Sequence, residues 1–330
     1  MSVPRVVKRD QFLQTHSLEP TQLAFLASDM SLRQYYRLNA PKRVLMDAPA
    51  PENPQQFIQV AKYLQHCGLR APSILEHCLE NGFVLLEDFG DHTFTAILKQ
   101  SPAREKELYQ TSITVLRHLH QHAIERPNFI QLYSIEKLLI ETEVFIDWYW
   151  KAVTGEEPKS DIKEEFQNSW KKAFENCPAT PQSLVLRDFH VDNLMIVDEQ
   201  DGIKGCGLLD FQDALWGSVV YDVVSLLEDA RRDITPAIVE QMWQYFLAEL
   251  PLSEHQSYKT AATILGAARH TKIIGVFTRY AMRQGKKDYL CHLPRLWKYL
   301  EKSLAIPQLK GVKGWFDNHL PIHQQNIPAL

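Results

Sequence analysis

The sequence predicts an α+β protein with a small N-terminal antiparallel sheet lobe, residues 1–90, and a larger helical C-terminal lobe, residues 91–330. Three observations carry that prediction. Period-2 alternation and short apolar runs dominate the first 90 residues, and long helix-period patterns take over from about residue 102. Between them, near residues 184–211, a polar-ended hairpin interrupts the helices, an order of elements that suits two segregated layers rather than alternating βα units.

In LRQYYRLN (32–39) the alternation sends Leu32, Gln34, Tyr36 and Leu38 to one face and Arg33, Tyr35 and Arg37 to the other. KRVLMDAP (42–49) follows after a short turn, so a hairpin is expected. NPQQFIQVAKYLQHCG (53–68) then places Phe57, Val60, Ala61 and Leu64 on one helical stripe and stops at Gly68, which tolerates the left-handed conformation that ends helices. GFVLLEDFGD (82–91) is a short buried strand with a polar exit.

PAREKELYQTSITVLRHLHQH (102–122) gathers Leu108, Ser112, Val115, Leu116 and Leu119 on one side, and SIEKLLIETEVFIDWYWKAV (134–153) begins at a Ser134 cap. A further helix starts near Ser160 or Asp161, with Glu164 placed for a capping box and Phe166 and Trp170 on its apolar face. TPAIVEQMWQYFLAEL (235–250) has Thr235 as cap and Pro236 at the first helical position, and residues 256–283 and 294–304 also read as helices. No internal repeat or low-complexity segment is present.

Composition bounds the function. With 45% hydrophobic and 23% charged residues and a net charge of -4, the chain is an ordinary globular protein with no broad electrostatic footprint for nucleic acid. Its five cysteines, at 67, 78, 177, 206 and 291, show no CxxC spacing, which points to a reducing compartment and away from structural zinc. The N-terminus has no apolar signal region and no stretch is apolar enough to span a membrane, so a cytoplasmic location is expected.

The chemistry concentrates in RDFHVDNLMI (187–196) and GLLDFQDALWG (207–217). LMIV (194–197) and CGLL (206–209) are short apolar runs separated by DEQDGIKG, whose Asp-Gly pair is a turn signal. Pairing them brings Asn193, before the first strand, and Asp210, after the second, to the same end of the hairpin, about 5 Å apart. An amide oxygen and a carboxylate converging there suit Mg²⁺, which takes few protein ligands and fills the rest with water and phosphate oxygens. Asp188 stands five residues before Asn193, close enough to act on what the metal orients. A loop Asp, an Asn five residues on and a second Asp beyond a hairpin form the apparatus of kinase-like phosphoryl transfer.

Taken with SDMSLRQYYRL, VLMDAP, FVLLEDFGD and LLDFQDALWGSVVYDVVSLLEDARRD, the RDFHVDN segment resembles the aminoglycoside-phosphotransferase-like superfamily, over about residues 20–235 and in the same order. Within it the chain resembles the bacterial anomeric kinases of N-acetylmuramate and N-acetylglucosamine. The resemblance implies a protein-kinase-like bilobal fold. It implies Asp188 as catalytic base, Asn193 and Asp210 as Mg²⁺ ligands, and Leu86, Glu87 and Phe89 in a hinge, 85–89, whose backbone meets adenine. Asp222 would brace the catalytic loop. The implied activity is ATP-dependent phosphorylation of the C1 hydroxyl of an amino sugar recovered from cell-wall turnover.

Several positions depart from that pattern. Ser28 stands where the first-hairpin loop carries Gly, leaving Ser31 and nearby backbone N–H groups to meet phosphate, and Met46 stands near the position of the ATP-anchoring Lys. Arg33 is the candidate replacement, since a guanidinium binds phosphate bidentately. Leu186 replaces the His that precedes Arg-Asp in protein kinases, which argues against a peptide acceptor. Structural readings stand beside the functional ones: Asp222 fits a helix N-cap, Glu87 and Asp88 side chains fit a solvated turn, His190 fits a fixed hydrogen-bonding group of the loop, and Asp192 and Asp213 fit either loop caps or sugar contacts. Trp148, Tyr149 and Trp150 read as core, and His118, His120 and His122 cannot all share one helix face. Two other functions remain open: a kinase of another small-molecule hydroxyl (aminoglycoside, choline-like alcohol or other sugar) and a catalytically silent nucleotide-binding regulator. The sequence leaves the oligomeric state open.

Overall fold

The computed structural model describes residues 3–28, 31–199, 201–321 and 327–328. In chain order these form α1 (Arg5–Thr15), β1 (Leu23–Ser28), β2 (Gln34–Asn39), β3 (Lys42–Asp47), α2 (Pro54–His66), β4 (Ile74–Cys78), β5 (Phe83–Glu87), α3 (Phe94–Gln100), α4 (Glu105–His122) and α5 (Ile135–Val144). A π-helical segment, Phe145–Trp150, leads into α6 (Lys151–Thr154), followed by α7 (Ser160–Glu175), β6 (Gln182–Val185), β7 (Leu194–Ile196), β8 (Cys206–Leu208) and β9 (Leu215–Ser218). The remainder is helical: α8 (Tyr221–Leu227), α9 (Pro236–Leu247), α10 (Leu252–Gln284), α11 (Leu293–Leu304) and α12 (Lys310–His319).

These elements gather into two compact units, residues 1–130 with 186–214, and residues 131–185 with 215–330. In the first unit an antiparallel sheet runs in the order β1-β2-β3-β5-β4. The expected β2–β3 hairpin is present, with Gln34 opposite Asp47 and Asn39 opposite Lys42. Phe12, Leu13, Leu18, Leu38, Leu45, Phe83 and Leu85 form one core cluster between α1 and the sheet. Helix α1 has no apolar stripe for sequence reading to find, because it buries only Phe12 and Leu13. Arg5 fastens it instead, pairing with Asp47 and lying 4.8 Å over the Phe83 ring. Helix α2 buries Phe57, Val60, Ala61 and Leu64 as its pattern predicts, and Asn53 caps it by accepting the Gln56 N–H.

The hairpin β7–β8 belongs to this unit through long-range backbone bonds. Leu208 N–H donates to Arg70 O at 2.8 Å and Ile196 N–H donates to His92 O at 2.9 Å. Gly207 is required for the fit, since a Cβ there would stand 2.7 Å from the Phe89 ring. The segment between α2 and β4 and the turn before α3 are thereby joined directly to the hairpin that carries the site.

In the second unit β6 and β9 form a two-stranded antiparallel ladder. Around the 33-residue α10 the helices bury an aromatic cluster that includes Phe145, Tyr149, Trp170, Trp297 and Phe316. Tyr149 and Trp150 are core, as read from sequence, whereas Trp148 is only half-buried, with Arg283 4.6 Å over its ring. Ser134 caps α5 as expected, accepting the Lys137 N–H at 3.3 Å. Two cap expectations are corrected. Lys159 rather than Ser160 occupies the N-cap of α7, and Asp222 is the second residue of α8, buried in its first turn, with Val220 at the cap. No described helix is long and apolar enough to cross a membrane.

Candidate functional site

The site is built from a loop anchored by its alternate residues. In 187–193, Phe189 and Val191 are buried at 2% exposure each, while Asp188, Asp192 and Asn193 remain partly exposed. Arg187 adopts φ +72°, and the Asp188 N–H turns back onto Leu186 O at 2.9 Å. The Asn193 amide then closes the loop: Nδ2 donates to Asp188 O at 2.9 Å, and the Asn193 N–H donates to His190 O at 2.9 Å. This use of the amide nitrogen directs a carbonyl-type oxygen elsewhere, the group a hard cation would take.

The hairpin delivers the second acid. Leu194 pairs with Leu208, and the Leu209 N–H donates to Asn193 O at 2.9 Å, so Asn193 and Asp210 lie at one end of the hairpin, as the strand pattern predicts. Asp210 has φ +55°. Gln212 Nε2 donates to its Oδ1 at 2.7 Å, and Phe211, fully buried, stacks on Phe57 of α2 at 4.9 Å. Arg33, 7% exposed and just before β2, reaches the same place, with Nη2 3.6 Å from Asp210 Oδ1 and 3.8 Å from Asp213 Oδ2. Its Nη1 is 3.4 Å from Glu52 Oε2, and Ser31 Oγ accepts the Arg33 N–H at 3.1 Å.

One guanidinium therefore faces three carboxylates, which leaves the mouth of the hairpin favourable to a further cation. Among the described residues no group of three or more His, Cys, Asp or Glu could enclose a metal by itself. An oxygen-only donor set with room for outside ligands fits Mg²⁺, which keeps waters and phosphate oxygens in its shell, and does not fit zinc.

The remaining candidates divide. Leu86 and Phe89 are buried at the end of β5, with Arg70 5.5 Å over the Phe89 ring. The side chains of Glu87 and Asp88 are not a solvated turn. Glu87 pairs with Arg70 and accepts Ser73 Oγ at 2.8 Å, while Asp88 pairs with Arg37 at 2.8 Å and accepts the Gly90 N–H at 2.9 Å. The Thr95 hydroxyl donates to Asp192, and His190, 6% exposed, has Nδ1 4.0 Å from Asp192. Asp213 is largely solvated at its side chain. Asp222 belongs to the second unit. Ser28 closes β1, but residues 29 and 30 of the loop expected to meet phosphate lie outside the described residues. A cavity of about 550 Å³ opens at the opposite, turn end of the hairpin, lined by Phe94, Thr111, Asp198 and Cys206 among others.

Sequence reasoning missed Glu52 and Gln212. The signal for Glu52 was available in APAPENP: once the third strand lacks a lysine, the acid just before the next helix is the one placed to pair with whatever cation replaces it.

The phosphotransferase enzyme family model matches residues 22–258. The N-acetylmuramate/N-acetylglucosamine kinase of Pseudomonas aeruginosa is 32% identical over 295 residues, 87% of this chain and 85% of that protein. A protein of the same name from Caulobacter vibrioides is 28% identical over 98% of both chains. Among solved structures, the ADP-bound aminoglycoside phosphotransferase APH(2″)-Ib superposes with a TM-score of 0.62 at 15% identity, covering 92% of this chain and 100% of that one.

Proposed function

Because the chain belongs to the phosphotransferase enzyme family, we propose that it is an ATP-dependent kinase that phosphorylates the anomeric (C1) hydroxyl of N-acetylmuramate or N-acetylglucosamine. The observation that carries this reading is the convergence of Asp188, Asn193, Asp210 and Arg33 around one hairpin mouth, in a chain whose relatives of similar length bear that kinase name.

In this reading residues 1–90 form the nucleotide-binding lobe and residues 91–330 the catalytic and acceptor-binding lobe. The hinge backbone at Leu86, Glu87 and Phe89 meets adenine, and the ion pairs of Glu87 and Asp88 hold that backbone rigid. Arg33 and the turn around Ser31 bind the phosphates. Asn193 and Asp210 would hold Mg²⁺, which would supply positive charge to neutralise the phosphates. Asp188 orients the acceptor hydroxyl and takes its proton. A strong base is unnecessary there, because in a loose transition state bond breaking to the leaving nucleotide runs ahead of proton removal, and most of the acceleration comes from positioning. His190 and Asp192 fix the loop, and Asp213 lies at the acceptor side. The absence of a membrane-crossing helix among the described residues is consistent with a cytoplasmic enzyme.

The test is ADP release with Mg-ATP against N-acetylmuramate, N-acetylglucosamine, glucose, choline and kanamycin, with Asp188→Ala alongside. Turnover confined to the N-acetylated sugars, and lost by a factor of at least about 10³ in a variant that still binds ATP, is the expected result. Activity on choline or kanamycin would replace the acceptor. Wild-type turnover in Asp188→Ala would relocate the active site.

A further inference from the structure

On β3, where a lysine would anchor the nucleotide, Met46 is fully buried and faces Tyr35 and Val84 across the sheet. The cation comes from Arg33 instead, outside the strands, on a long side chain with much rotamer freedom to lose. Something must hold it. We infer that Glu52 is the residue that positions Arg33 in the phosphate site, so that the Arg33–Glu52 pair does here what a lysine–glutamate pair does in protein kinases; the inference rests on the reading of Arg33 as phosphate-binding.

The Glu52 carboxylate uses both oxygens. Oε1 accepts the Leu32 N–H at 3.0 Å, fixing the backbone just before Arg33, while Oε2 lies 3.4 Å from Arg33 Nη1. One side chain thus sets both the Cα position and the guanidinium direction. Glu52 is itself fixed: its N–H donates to Pro49 O at 2.9 Å, and the next residue, Asn53, caps α2.

The other two acids around Arg33 are poorer holders. Asp213 has a side chain 60% exposed, where a charge pair contributes little, against 16% for Glu52. Asp210 stands 3.6 Å from Nη2, little farther than Glu52 from Nη1, but its Oδ1 already accepts from Gln212, whereas Glu52 also accepts the backbone N–H beside Arg33. Phosphate oxygens can therefore take over Nη2 without disturbing Nη1. Glu52 keeps the guanidinium aimed while Asp210 is released to its own ligand.

The experiment measures the ATP dissociation constant, the KM values for ATP and sugar, and Tm, for Arg33→Ala, Glu52→Gln, Glu52→Asp and the Arg33→Ala/Glu52→Gln double variant of the full chain. The glutamine keeps an oxygen for the Leu32 N–H but loses the charge. Glu52→Gln is expected to weaken ATP about 10-fold, leave KM for sugar and Tm near wild type, and add nothing in the Arg33→Ala background. Glu52→Asp, which keeps the charge, is expected to bind ATP more tightly than Glu52→Gln. Normal ATP affinity in Arg33→Ala would overturn the reading of Arg33, and the inference with it. If Arg33→Ala weakens ATP while Glu52→Gln does not, if the two losses simply add, or if the Asp and Gln variants bind ATP equally, the positioning role of Glu52 is wrong and the reading of Arg33 stands.

Discussion

Arg187 and Asp210 both occupy the left-handed backbone region, where a Cβ costs roughly 1–2 kcal/mol, and both lie in the segments that build the site. Gln212 answers part of that cost at Asp210. It is 4% exposed, its Nε2 bonds the Asp210 carboxylate, and only the nitrogen side of the amide can face a negative charge. Gln212→Ala should therefore lower turnover about 10-fold or more through a loosened Asp210, with little change in KM for sugar, as loss of an orienting partner does at metal-binding carboxylates. An unchanged kcat would show that Asp210 is held by its backbone alone. The meeting of Asn193 and Asp210 at one hairpin end was legible in sequence because two short apolar runs and an Asp-Gly turn dictate which ends meet. Gln212 was not, because a glutamine after Asp-Phe carries no pattern that says it is buried, and Glu87 and Asp88 were misread because their partners Arg70 and Arg37 come from other strands and loops.

Among the elements, those with a strong period were read correctly. Helices α2 and α4 bury the residues their stripes name. Helix α1 was missed because two apolar contacts and an arginine hold it, and the π-helical segment 145–150 was hidden inside what reads as continuous helix, since one inserted residue does not erase a 3.6 period. The contact of α8 with α10 places titratable groups where sequence shows only an apolar helix. At the end of α8, burial pushes the Glu228 carboxyl up to about 7, opposed by Lys302 and Arg269. Facing it at 3.4 Å, His270 on α10 is pushed by burial down to about 3. A raised carboxyl favours folding while neutral: that contribution is complete below the ordinary value near 4.5 and is lost as pH rises through about 7. The depressed His270 acts in the opposite sense, its contribution being complete above 6.5 and lost as pH falls towards 3. Glu228→Gln should accordingly be more stable than wild type at pH 8, by about 1 kcal/mol after allowing for solvent screening of a partly exposed side chain, with a much smaller gain at pH 5. Thermal melts at the two pH values check this; an equal shift at both would rule out the ionised Glu228 as its source.

At the scale of the whole molecule, the α+β order of a sheet region followed by helices was visible from periodicity. The assignment of residues 186–214 to the same compact unit as residues 1–130 was not, because it depends on backbone bonds such as Leu208 to Arg70 that no local pattern announces. Those bonds complete the first unit, and two of its aromatic residues depend on them directly: Phe57 stacks on Phe211 and Phe89 packs on Gly207. A fragment ending at residue 130 should thus be cleaved by protease far faster than the intact chain, since each uncovered aromatic forfeits up to about 1.5–3 kcal/mol of burial. Equal resistance would show that the sheet and its helices suffice without the hairpin. The same discontinuity sets a schedule during synthesis. A ribosome that has finished residue 130 must still translate the 84 residues to 214, roughly 4–17 s at ordinary elongation rates, before the first unit can close. For that interval the nascent chain presents the faces of Phe57 and Phe89 to whatever holds emerging polypeptide, so the β7–β8 hairpin with Asp210 is also the last piece of its unit to leave the tunnel.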